Sequence, residues 1–149
     1  MRKKQNRNAG LRLGFRSGLE EQIARQLEEA GIDARYESEK IVYLKPARNA
    51  KYTPDWILPN GIIIESKGRF VVDDRHKHLL IKEQYPELDI RFVFSNSRNR
   101  ISKNSKTTYA DWCEKYGFLY SDKLIPREWL EEPPCPVRLA ALEKARIKS

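Results

Sequence analysis

The sequence predicts an α/β protein in which a mixed sheet is flanked by helices. Two apolar, β-prone runs meet at Pro59-Asn60-Gly61, a turn signal, and predict a β-hairpin over residues 52–68. A helical stretch over 73–84 and an apolar strand over 89–95 follow it, the strand–helix–strand order of a right-handed crossover. Segments 17–30 and 107–117 carry apolar residues at helical spacing between a capping signal and a glycine.

Composition narrows the partners. A chain of 149 residues is one domain or one protomer of an intertwined pair. Its net charge of +8 favours a polyanion, nucleic acid ahead of an anionic membrane. No apolar run approaches the roughly 18 residues of a bilayer span. The basic N-terminus lacks the apolar segment of a secretory signal. Cys113 and Cys135 have no zinc spacing and read as reduced thiols.

Taken in order, residues 1–16 hold six Lys/Arg and no acid. They read as an arm that orders on phosphates through Arg7, Arg12 and Arg16, or as a solubilising tail. A helix over 17–30 buries Leu19, Ile23 and Leu27 and stops at Gly31. Ser17-Gly18-Leu19-Glu20 is also a capping box, which gives Glu20 a structural alternative. Strands are expected over 34–37 and 40–44, the second partly covered on both faces, by Ile41 and Tyr43 and by Val42 and Leu44. Residues 45–51 form a basic, breaker-rich connector.

The hairpin carries the chemistry. With a three-residue loop and Gly61 in the left-handed conformation, Leu58 opposes Ile62 and Asp55 opposes Glu65, about 5 Å apart at Cβ. Lys67 then shares their face. A two-residue loop would split the acids onto opposite faces, and the three-residue loop is the expected one. Paired carboxylates repel unless a cation lies between them, and hard oxygen ligands suit Mg²⁺ or Mn²⁺. The plainer alternative is a surface hairpin with solvated charges.

Beyond the hairpin, Arg69 is a candidate phosphate contact, and Asp73 or Asp74 caps the 73–84 helix, which Pro86 follows. Arg75, Lys77 and Lys82 are its basic residues, while Leu79, Leu80 and Tyr85 pack. His76 and His78 point about 200° apart on a helix and read as surface or cap residues. On the 89–95 strand, Ile90, Phe92 and Phe94 face one way. Residues 96–106 form a loop whose Arg98, Arg100, Lys103 and Lys106 track phosphates or stay solvated. Thr107 or Thr108 opens a helix with core residues Tyr109, Trp112 and Cys113, closed by Gly117. Pro126 begins a short helix with Trp129 and Leu130. After the break at 133–136, a basic helix over 137–148 has Leu139, Leu142 and Ala145 as its apolar edge.

Pro54-Asp55, nine residues and Glu65-Ser66-Lys67 resemble the Pro-Asp…(Asp/Glu)-x-Lys signature of restriction-endonuclease-like nucleases. Phe15-Arg16-Ser17-Gly18-Leu19-Glu20, Tyr52-Thr53-Pro54-Asp55, Leu58-Pro59-Asn60-Gly61, Asp73-Asp74-Arg75 and Lys77-His78-Leu79-Leu80-Ile81 carry the likeness further. With Pro86-Glu87-Leu88-Asp89-Ile90-Arg91, they resemble the phage endonuclease I family of junction-resolving nucleases over residues 14–132.

That resemblance implies a restriction-endonuclease-like mixed sheet and a domain-swapped homodimer bridged by 45–51. The nuclease domain would be 17–132, between the 1–16 arm and a basic 133–149 extension. Asp55 and Glu65 would hold one or two Mg²⁺ ions, with Mn²⁺ able to substitute, and Glu20 of the other chain would complete the shell. Lys67 would orient or help deprotonate the water that attacks phosphorus in line. The helix start at Ser17 would receive a phosphate. Four-way DNA junctions would be cut in the cytoplasm of the infected host cell, leaving 5′-phosphate and 3′-hydroxyl ends. Two alternatives stay open: the same core used for restriction or transposon-end cleavage, and a non-catalytic DNA-binding module.

Overall fold

The structure is a computed structural model, and it describes residues 18–45 and 48–146. The expected arm, with Arg7, Arg12 and Arg16, and Ser17 at the helix start lie outside the described residues.

The first helix, α1 (Gly18–Glu29), buries Leu19, Ile23 and Leu27 on one stripe. It ends at Gly31, whose φ of +69° suits a residue without Cβ. Next come β1 (Arg35–Tyr36) and β2 (Ile41–Lys45). Ile41 and Tyr43 are buried; on the other face Val42 is half-buried and Leu44 exposed, so that face is covered only at Val42.

The 45–51 connector is corrected. Residues Arg48–Tyr52 form β3, antiparallel to β2 from Ile41↔Tyr52 to Lys45↔Arg48 within the same chain. Asn49 and Lys51 are exposed, whereas Ala50 and Tyr52 turn to the core. This is a strand alternation that charge and a proline conceal in the sequence.

The hairpin has the expected register. In β4 (Trp56–Ile57) and β5 (Ile63–Lys67), Trp56 pairs with Ile64 and Ile57 with Ile63. The Leu58 amide donates to the Ile62 carbonyl at 2.9 Å across the three-residue turn, and Gly61 has φ +96°. Asn60 is buried in that turn, with Nδ2 donating to the Trp129 and Glu132 carbonyls at 3.0 Å each.

Helix α2 (Val72–Gln84) starts after Val71 with no side-chain cap. Asp73 and Asp74 are thus not caps but first-turn residues, where carboxylates favour the positive helix end. The strand β6 (Ile90–Phe94) then runs parallel to β5, as a crossover requires.

Thr108 caps α3 (Tyr109–Tyr116) in a reciprocal box with Asp111, and Gly117 at φ +79° closes it. An unanticipated short strand, β7 (Tyr120–Asp122), extends the sheet parallel to β6. Helices α4 (Arg127–Glu131) and α5 (Pro136–Ala145) complete the described chain. Leu142 and Ala145 are buried, but Leu139 is largely exposed and contributes little to the expected apolar edge.

The five-stranded sheet has the order β1-β4-β5-β6-β7, antiparallel in its first half and parallel in its second. A core lies on each face. One joins Ile81, Phe70, Phe92, Phe94 and Trp112, and the other joins α1 with Trp56, Ile64, Val93 and Trp129. Both cysteines are free thiols, and among the described residues no helix is long and apolar enough to cross a membrane.

Candidate active site

At the open end of the hairpin, three buried polar side chains replace the apolar alternation. Extending the Trp56–Ile64 register brings Asp55 opposite Glu65, and each is only 2% exposed. Asp55 Oδ2 accepts from the Ser66 amide at 2.9 Å and the Ser66 hydroxyl at 3.1 Å. Glu65 Oε2 accepts from the Tyr52 hydroxyl at 2.7 Å and the Asp55 amide at 3.0 Å. These bonds hold each carboxylate in one orientation.

Lys67 Nζ lies 3.8 Å from Glu65 Oε1 and 3.6 Å from Asp74 Oδ1. Burial opposes its charge, but Glu65, Asp74 and Asp55 outweigh burial and raise its pKa. It is a cationic donor rather than a base.

Glu20 reaches the same place from α1. It is 3% exposed, and its Oε1 accepts from the Tyr36 hydroxyl at 3.1 Å. Glu37 follows β1 at φ +47°, and its amide donates to the Asp55 carbonyl at 3.1 Å. Glu20, Glu37 and Asp55 each place one oxygen within 4.8 Å of the others. Glu65 is not in that triad, and Glu37 is a member the sequence reading missed. Its signal would have been its place at the end of the 34–37 strand, which says nothing of where that strand docks.

Electrostatics mark the gathering. Burial foremost, then the charge of Glu65, push Asp55 up to about 8, despite the Ser66 amide and Lys67. Such a set of hard oxygens, crowded and desolvated, fits a small divalent cation. All four expected residues, Glu20, Asp55, Glu65 and Lys67, meet here within one chain.

His78 is a second omission, and its reading as a surface or cap residue is corrected: the ring is fully buried, while His76 is exposed. Arg75, His78 and Ile81 form the buried stripe of α2, a three-residue spacing that the polarity of histidine conceals. Arg75, expected on phosphates, is also buried; its Nη1 donates to the Phe70 carbonyl at 2.6 Å and the Ile101 carbonyl at 3.3 Å. A guanidinium so engaged ties loops together. Arg69, Arg98, Lys103 and Lys106 are exposed, and Lys77 is half-buried with Nζ 5.7 Å from the Tyr52 ring centre.

The family described as Phage endonuclease I matches residues 1–148. Endonuclease I of Escherichia phage T7 is 54% identical over 130 residues, covering 87% of each chain. Endodeoxyribonuclease 1 of Enterobacteria phage T3 is 56% identical over 119 residues, covering 80% of this chain and 78% of the relative.

Proposed function

This chain belongs to the phage endonuclease I family, and from that premise we propose a metal-dependent endodeoxyribonuclease that cuts branched DNA, such as four-way junctions. The convergence of oxygens from buried Glu20 and Asp55 and half-buried Glu37, each from a separate stretch of the chain, carries the reading. Their hard-oxygen chemistry fits Mg²⁺, with Mn²⁺ able to substitute. Asp55, Glu20 and Glu65 would hold the cation, with Glu37 beside them.

A bound divalent cation supplies Lewis acidity and a water of lowered pKa at the scissile phosphate. The protein does the rest by position. Ser66 and Tyr52 lock the two hairpin carboxylates before DNA arrives, so little reorganisation is left for the reaction. Lys67, held protonated between Glu65 and Asp74, orients the attacking water and faces the negative charge that develops on phosphate. No side-chain nucleophile is required, and the products are a 5′-phosphate and a 3′-hydroxyl.

Arg69, Lys77, Arg98, Lys103 and Lys106 position the backbone, with Arg7, Arg12, Arg16 and Ser17 contributing from the N-terminal segment. Phosphate contacts do not read sequence, so selectivity comes from the shape of the DNA. A homodimer presents two sites to two strands of a junction. In that dimer, residues 45–51 extend between restriction-endonuclease-like halves instead of folding back, so the Glu20 and Asp55 that meet here within one chain meet across two.

The test is cleavage of a four-way junction against a linear duplex of the same sequence in Mg²⁺. Preferential, symmetric junction cutting, lost with EDTA, is expected. Equal cutting of both substrates, or cutting in EDTA, overturns the assignment.

A further inference from the structure

The interior beside Glu65 holds a group that the nuclease chemistry above leaves unused. The His78 ring is fully buried, and neither ring nitrogen has a hydrogen-bond partner. It packs edge-on against Tyr52 and Phe92, with ring centres 5.3 and 4.9 Å away. Apolar packing alone would be served better by phenylalanine or leucine, since two unpaired nitrogens oppose burial.

The placement is specific. His78 Nε2 faces Glu65 Oε1 at 3.7 Å, and Lys67 Nζ faces the same oxygen at 3.8 Å. The other oxygen of Glu65 is already taken by the Tyr52 hydroxyl and the Asp55 amide. Nε2 is the ring nitrogen that faces a carboxylate oxygen, so the geometry selects it as the donor. A neutral ring has one N–H, and a carboxylate oxygen can only accept.

We infer that His78 is a positioning residue that carries its proton on Nε2 and aims Glu65 Oε1 into the cation site. A few tenths of an ångström of approach turns the 3.7 Å contact into a hydrogen bond. Outer-shell donors of this kind fix a ligand's orientation, and losing one weakens metal binding by about 10- to 100-fold. The inference rests on the cation-dependent reading of the site.

The test uses the full-length protein without DNA. Mn²⁺ binding is measured by calorimetry for wild type, His78→Gln, His78→Asn and His78→Phe, with folding checked by near-ultraviolet circular dichroism. Glutamine carries an amide nitrogen where Nε2 lies, and asparagine carries one where Nδ1 lies. Binding within about threefold of wild type is expected for His78→Gln, with weakening of about 10- to 100-fold for His78→Asn and His78→Phe. In cleavage assays the half-saturating Mn²⁺ concentration should follow the same order, while KM for DNA stays unchanged.

Wild-type binding by His78→Phe or His78→Asn overturns the inference, as does equal weakening of all three. Should the variants not fold, nitrogen-15 shifts of His78 in the wild-type protein decide. An Nε2–H tautomer that shifts on adding Mg²⁺ supports it, and an Nδ1–H tautomer overturns it. A wild-type protein that binds neither cation sinks the cation-dependent reading itself, and this inference with it.

Discussion

At Asp55, burial and the charge of Glu65 push the carboxyl up to about 8, from an ordinary value of 3.8. Folding without a cation therefore takes up a proton between those values. That contribution to stability is whole below about pH 4 and is lost as pH rises to about 8, by at most ~1.4 kcal/mol per pH unit. Melting temperatures in EDTA should fall across that range, and Asp55→Asn should flatten the profile. Cation binding at pH 7 should release close to one proton, read by calorimetry in buffers of different ionisation heat. With Asp55 as the proposed cation ligand, Asp55→Asn should also cut the cleavage rate more than about 100-fold, since a direct ligand outweighs the outer-shell partners that cost 10- to 100-fold. Arg75→Ala makes the contrasting case. It should lower stability by about 2 kcal/mol, since its guanidinium donates to the Phe70 and Ile101 carbonyls, and leave the salt dependence of DNA binding unchanged.

A hydrogen bond from Arg138 ties the 56–67 hairpin to α5. Arg138 donates Nε–H to the Asn60 carbonyl at 3.2 Å, and its Nη1 contacts Asp89 and Glu132 at 3.2 Å each. Arg91 pairs with the same two acids at 2.8 and 2.7 Å. The hairpin turn thus has the charged network and the carbonyls of Trp129 and Glu132 on one side. A Cβ at Gly61 would sit 2.9 Å from Arg138 Cβ, at a φ of +96°. Gly61→Ala should cost about 1–3 kcal/mol, or several degrees in Tm, as thermal melts will show. Thr108→Ala removes one half of the α3 capping box and should cost about 1 kcal/mol, with cleavage unaffected. Removing residues 133–149 should destabilise the core, because Leu142 and Ala145 are part of it.

Across the whole molecule, the charge of +8 sets how the protein meets DNA. The logarithm of the binding constant should fall linearly with the logarithm of salt, with a slope near −0.9 per phosphate neutralised. Replacing exposed Arg98, Lys103 and Lys106 with alanine should make that slope shallower by about 2–3 if the loop tracks phosphates. Sedimentation at micromolar concentration tests the proposed homodimer, and a monomer under those conditions removes the strand exchange. By itself, the sequence determined the hairpin register, the helix ends at Gly31 and Gly117, and the facing of Asp55 and Glu65. Those features depend on contacts at most ten residues apart, where periodicity and turn chemistry act. Tertiary structure alone decided that Glu37 joins Glu20 and Asp55 and that His78 lies behind Glu65. Each of these hangs on how separate elements dock, and local pattern carries no term for that.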